Sequence, residues 1–426
     1  LTSSDIFEKS QNSKTKNNHQ ICYYRIILMI QKYHKNLYLD HAASTPIDSM
    51  ILQEMYTYDA EHFSNPSSVY SSGDAARREL QSQRVRLARV LQARAPEIYF
   101  TYGGTESDNL AIRGVVGAYR RMHSESIPHI IVSSIEHAAV LDTVATLEKE
   151  GVEVTYIKPK KNGIVRALDF IEACKPNTIL ISLMYVNNEI GTVQPVGALG
   201  KLVREYREKN NTTYPYLHTD ACQAGNYVLV TAPKLKADMI SINASKVYGP
   251  KGIGALYART GVHIDPIVTG GGQESGLRSG TPNISLIIGL VSSFVYAQNK
   301  REEETARLQE IQKWAVHELT RRIPNSILWG EIPDKIPNNI SICIPGISAE
   351  ELVIRLSAFG IEVSSKSACS SIDTDGSYVI LEIGGTELQS RQTIRISMGR
   401  DTSKADIQYF LDKLESIITQ YSICNT

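Results

Sequence analysis

The sequence lacks paired cysteines, a charge excess and any long apolar run, and each lack narrows what the chain can do. Six cysteines, Cys22, Cys174, Cys222, Cys343, Cys369 and Cys424, are scattered through 426 residues, and none forms a CxxC pair. That spacing lacks the usual pattern of zinc ligands and reads as free thiols of a reducing compartment. Lys+Arg and Asp+Glu both number 45, so the formal net charge is zero and no global basic excess points to nucleic acid. No apolar run approaches the roughly 18 residues that span a bilayer. The longest early cluster, residues 26–30, is closed by Gln31 and Lys32, and no small-residue cleavage site follows. These features imply a cytoplasmic protein with no membrane contact and no direct nucleic-acid contact. Aromatic residues are few at 7%, but hydrophobic residues reach 42% and charged ones 21%, which argues against wholesale disorder.

What is present is an alternation of short apolar runs and amphipathic stretches. Strands are expected at 97–101, 129–133, 152–157, 178–184, 216–219, 239–242 and 254–257. Helices are expected at 74–91, 106–122, 139–150 and 196–209. Such alternation predicts an α/β fold: a mainly parallel seven-stranded sheet flanked by helices, with ligands at the carboxyl ends of the strands. A long helix follows Pro282 to about Arg322, charged in its middle. Beyond it, strands at 339–344 and 393–397 and helices at 349–359 and 404–418 predict a smaller α+β domain. The expected organisation is a large domain over 51–295 and a small one made of 37–50 with 296–426. Residues 1–36 are expected to be an extension, disordered or untranslated if Met29 is the true start. Arg77, Arg78, Arg84, Arg86, Arg89 and Arg94 are expected on a solvated helix face, the alternative being a partner site.

Six constellations carry chemistry. Lys246 follows an apolar strand and precedes a glycine-rich loop. A lysine with a lowered pKa there suits a Schiff base, the alternative being a turn lysine, as Lys251 is. Asp220 ends a strand with Gln223 close behind, which suits a cofactor's ring nitrogen and oxygen; the alternative is a helix cap. Gly103, Gly104 and Thr105 start a helix, where backbone N–H groups bind phosphate or simply cap. His137 follows another strand and is structural or catalytic. Cys369 lies in a polar loop of small residues, where a thiol is exposed and reactive or merely a loop residue. Arg395 shares a strand face with Thr393 and Ser397, suiting a carboxylate or a structural ion pair.

In this order, the stretches "YLDHAASTP", "GGTESDNLAI", "IEHAAVLDT", "MYVNNEIGTVQP", "HTDACQAG", "SKVYGPKGIGALY", "GGGQESGLRSGT", "SACSS" and "IRISMGR" closely resemble the cysteine desulfurases, class V aminotransferase relatives that use pyridoxal 5'-phosphate. The resemblance covers Leu37 to Arg400. It implies that Lys246 is the Schiff-base lysine, Asp220 the acid at the pyridine nitrogen, and Gln223 the partner of the ring hydroxyl. It implies that His137 stacks on the ring, Gly104 and Thr105 meet the phosphate, and Asn243 and Ser245 hydrogen-bond it. Thr281 is implied to reach the phosphate of a neighbouring subunit, hence a homodimer. Asn188 is implied near cofactor and substrate, Arg395 as the anchor of the L-cysteine carboxylate, and Cys369 as the persulfide-forming cysteine. The loop after Cys369 resembles the longer loop of the branch that feeds iron–sulfur assembly. An iron–sulfur scaffold or a tRNA-thiolation protein is then the expected sulfur acceptor. Departures are Asn243 and Ser245 before the lysine, where a cation is lost, Lys366 near Cys369, and Tyr70 where His is usual. Selenocysteine lyase, an aminotransferase of the same fold and a non-catalytic assembly relative are the rival readings.

Overall fold

The computed structural model describes residues 36–365 and 376–424. Twelve strands are found among them: β1 Leu37–Tyr38, β2 Ile98–Thr101, β3 His129–Ser133, β4 Glu153–Ile157, β5 Thr178–Ser182, β6 Tyr216–Asp220, β7 Met239–Asn243, β8 Gly254–Ala258, β9 Ile327–Trp329, β10 Asn339–Cys343, β11 Ile361–Glu362 and β12 Thr393–Ser397. The main sheet has seven strands in the order β2-β8-β7-β6-β5-β3-β4. The pairs from β4 through to β7 are parallel, whereas β8 is antiparallel to both of its neighbours. So β8 alone runs backwards, and the carboxyl ends of the other six strands share one edge. β3, β5, β6 and β8 are buried along their whole length. That is why they read as continuous apolar runs rather than alternating ones.

Helices of ten residues or more cover this sheet and extend beyond it: α1 Ser49–Glu61, α2 Ser71–Leu91, α3 Gly104–Met122, α4 Ala138–Lys149, α5 Val196–Asn210, α6 Ile284–Arg322, α7 Ala349–Ala358 and α8 Lys404–Cys424. Most have a local stop or start. Asp48 accepts from Met50 N at the head of α1, and Asn283 accepts from Leu286 N at the head of α6. Gln92, in the left-handed region, ends α2. α6 is about 58 Å long at 1.5 Å per residue. It packs on α1, α2 and α8; near its start Ser285 bonds Met55 O of α1, and at its end Arg322 pairs with Asp412 and Glu415 of α8. A second sheet, β12-β10-β9, is antiparallel, and β1 pairs with β11.

One expectation about the surface needs correction. Arg84 does not lie on a solvated helix face. It is buried and paired with Glu274, because α2 turns that side chain inward onto Ile98 and Phe100. Arg77 and Arg78 pair with Asp74 on the surface, as a solvated face would.

Candidate active site

The shared strand edge gathers five loops around one cleft. It is lined by Gly104, Thr105 and Asp108 of α3, His137, Met184 and Asn188, then Asp220, Cys222 and Gln223 after β6, and Asn243 and Lys246 after β7. Ala42 and Ala43, which follow β1, and Arg395 of β12 close its far side. Residues from both sheets therefore meet here.

Lys246 ends a single helical turn that directly follows β7. Its Nζ donates to the carbonyls of Ala42 at 3.1 Å and Ala43 at 2.5 Å. Gln223 Nε2 also donates to Ala42 O, at 2.8 Å. Asp220 stands at the last position of β6, and its Oδ1 accepts from Cys222 N at 2.8 Å. His137 caps α4: its Nδ1 accepts from Ala139 N at 3.1 Å. With Nδ1 accepting, the neutral ring carries its proton on Nε2.

Arg395 is buried. Its Nη2 donates to Asp40 Oδ1 at 2.6 Å and its Nη1 to Asn188 O at 3.0 Å. Among the described residues, three buried polar atoms of cleft residues have no hydrogen-bond partner: Arg395 Nε, Asn188 Oδ1 and Asp108 Oδ1. Unpaired buried polar atoms are costly, and their clustering here fits a polar ligand.

An adjoining hollow shares Gly104, Thr105 and Asn243 with the cleft and adds Ser245, Lys251 and Asn109. Here α3 begins, with its first N–H groups unpaired by the helix. Asn243 Oδ1 accepts from Ser245 N and Ser245 Oγ, both at 3.2 Å. The structure thus sets Lys251, read from the sequence as a turn lysine, beside the hollow where Ser245 offers no charge. This donor set, with N–H groups, a hydroxyl and an ammonium, matches a phosphate ester.

Behind the cleft lies a buried polar string that the sequence did not reveal. His218 of β6 reaches Ser182 Oγ of β5 at 2.9 Å and Ser241 Oγ of β7 at 3.0 Å. Its Nε2 is 3.5 Å from Asp108 Oδ1. Burial lowers the His218 pKa to about 4, and burial first, then the charge of Asp220, raises that of Asp108 well above the carboxylate range. Glu136, equally buried, is raised for the same leading reason. The only sequence signal was alternation: His218 and Asp220 share one face of β6.

Among the described residues, one expected site residue lines neither the cleft nor the adjoining hollow. Thr281 is exposed and lines a separate hollow with Tyr102 and Arg278. Cys369, with Lys366, lies outside the described residues. The described cysteines Cys174, Cys222 and Cys343 carry no disulfide, and burial raises the pKa of each, that of Cys174 to about 11. Thiols held protonated this way are poor nucleophiles.

Comparison with known proteins agrees with this geometry. The aminotransferase class-V family model matches residues 37–410. Cysteine desulfurase IscS of Dictyoglomus turgidum is 39% identical over 384 residues, 90% of this chain and 95% of the relative. Its counterpart in Methanosarcina thermophila is 38% identical over 384 residues, 90% of this chain and 92% of the relative. Among solved structures, a NifS-like protein superposes with a TM-score of 0.82 at 31% identity, covering 90% of this chain and 99% of that one. SspA in complex with cysteine gives 0.71 at 33% identity, covering 85% and 98%. A lysine after β7, an acid ending β6 and a phosphate-ready turn at the head of α3 thus stand in a chain matched over most of its length: it belongs to the aminotransferase class-V family.

Proposed function

We propose that this chain is a cysteine desulfurase, taking sulfur from L-cysteine with pyridoxal phosphate, releasing L-alanine and leaving a persulfide on Cys369. The observation that carries this reading is the convergence of Lys246, Asp220, His137 and Arg395 on one cleft. The names of the relatives support the reaction, and the neighbour solved with cysteine supports the substrate.

The cleft's donor set fits pyridoxal phosphate. Lys246 would hold its carbonyl carbon, Asp220 its ring nitrogen, Gln223 its ring oxygen and His137 its ring face. Gly104, Thr105, Asn243 and Ser245 would hold its phosphate. When bound, this group supplies an electron sink for the bonds at the amino acid's Cα. The chain's own side chains do the rest. Arg395, fixed by Asp40 and Asn188 O, would take a carboxylate with its buried Nε, which has no partner among the described residues, and Asn188 lies beside it. Lys246 moves the Cα proton, a contribution of about 10²–10⁴-fold for general-base catalysis. His137 Nε2 moves the proton of the substrate thiol. The Cys369 thiolate then bonds to the substrate sulfur as the carbon–sulfur bond breaks. The bonding pair stays on carbon, which is protonated, and alanine leaves.

The same reading makes the protein a cytoplasmic homodimer in which Thr281 serves the neighbouring site. It hands sulfur to an iron–sulfur scaffold or a tRNA-thiolation protein. Residues 51–295 form its cofactor-binding unit, and 37–50 with 296–426 the unit bearing Cys369. The test is alanine and sulfide formation from L-cysteine with reductant and pyridoxal phosphate, wild type beside Cys369→Ala. Equal amounts of both products, lost in the variant, are expected. Undiminished turnover by Cys369→Ala, or no product from wild type with cofactor bound, would sink the reading.

A further inference from the structure

Glu274 and Ser275 are consecutive non-glycine residues in the left-handed region, with φ of 49° and 57°. Side chains rarely adopt that backbone, and such strain persists only where surroundings over-determine it. Here the surroundings are explicit. Arg84 Nη1 and Nη2 donate to the two Glu274 carboxylate oxygens, each at 2.7 Å. Phe100 N adds a bond to Glu274 Oε2 at 2.8 Å. The pair is buried, and the Arg84 guanidinium also lies over the Phe100 ring. Glu274 is thereby bolted to α2 and β2.

From that bolt, hydrogen bonds brace the loop at 268–281 towards its end. Gln273, next to Glu274, accepts from Gly280 N at 2.9 Å. Ser279 N donates to Val268 O at 3.2 Å. Arg278 donates to Glu106 in the first turn of α3 at 2.8 Å. Thr281 follows, and Asn283 caps α6 two residues later. Thr281 is thus held between a clamped loop and a long helix, yet it is exposed and no residue of this loop lines the chain's own cleft. Its side chains brace α2, β2 and α3, but its exposed terminal hydroxyl lines no part of the cleft of its own chain among the described residues.

We infer that Glu274, clamped by Arg84, is a positioning residue that holds this arm so that Thr281 enters the active-site cleft of a second copy of the chain and meets the cofactor's phosphate there. The inference rests on the reading of Thr281 proposed above and adds the device that sets its position.

The test compares the affinity of the purified dimer for pyridoxal phosphate and for pyridoxal, which lacks the phosphate, by equilibrium dialysis. Glu274→Gln should weaken pyridoxal phosphate binding about tenfold, the scale of one hydrogen bond to a charged group, and leave pyridoxal within about twofold. Thr281→Ala should do the same. If Thr281→Ala does not separate the two ligands, the reading of Thr281 fails and the inference with it. If Thr281→Ala separates them and Glu274→Gln weakens both equally or neither, only the inference is overturned. Should Glu274→Gln not fold, Arg84→Lys carries the same prediction with a smaller shift. A mixed dimer of one Lys246→Ala chain and one Glu274→Gln chain adds a second readout. The intact Lys246 then receives its arm from the chain whose Glu274 is intact, so half the sites should bind with wild-type affinity. No site of wild-type affinity would mean that the arm acts within its own chain, and would overturn the inference.

Discussion

At the scale of single residues, the cleft is shaped by groups that have lost their charge. His218 in the fold has a pKa of about 4, below the ordinary 6.5. The unfolded chain therefore binds this proton first as pH falls. Its contribution to stability is whole above about pH 6.5 and is lost between there and pH 4. Between pH 7.5 and 5.5, wild type should lose about 1 kcal/mol more than His218→Gln in denaturant titrations. Asp108 behaves oppositely. Its raised pKa means the fold holds a proton that the unfolded chain has released, so stability falls as pH rises. Asp108→Asn should gain on wild type as pH rises above the ordinary carboxylate range. Equal pH slopes for wild type and both variants would refute the assignment. Neither residue could be found from sequence. His218 meets Asp108 from a different element, and only the strand order places Ser182 and Ser241 on its two sides. Local context singled out Lys246, Asp220 and Arg395 with alternatives left open, through a strand end, a glycine-rich loop and an alternating strand face, and the structure sets all three on one cleft.

At the scale of elements, β3, β5, β6 and β8 were legible because burial along their whole length leaves an apolar run with little else to imitate it. Most long helices were legible for their 3.6-residue period, but α1 was not expected. β9 was not, since three half-buried residues carry no period. The burial of Arg84 was hidden as well, because its partner lies 190 residues away. The head of α3 illustrates why element starts matter. A Cβ on Gly104 would come within 2.7 Å of Cys222 Sγ. Gly104→Ala must therefore push the thiol or the helix start, and the first N–H groups with it. Its affinity for pyridoxal phosphate should fall at least severalfold. Cys222→Ala removes the obstructing sulfur, so the double variant should recover most of that loss in the same dialysis measurement. A double variant no better than Gly104→Ala would show that the defect lies elsewhere.

At the scale of the whole molecule, the site is a joint between two sheets. Arg395 belongs to the smaller one, yet its fork is held by Asp40 and by the carbonyl of Asn188. Asp40→Asn should leave the fold intact and let the fork wander. KM for L-cysteine is expected to rise about tenfold with kcat changed much less, the pattern of weakened ground-state binding. A fall in kcat at unchanged KM would contradict this role. α6 spans the same joint from outside, packed on α1 and α2 and, at its far end, on α8. A continuous helix of 39 residues thus carries contacts to both. The two sheets are therefore expected to melt together. Scanning calorimetry should record a single endotherm whose calorimetric and van't Hoff enthalpies agree, so that a defect in either sheet lowers the survival of both in heat.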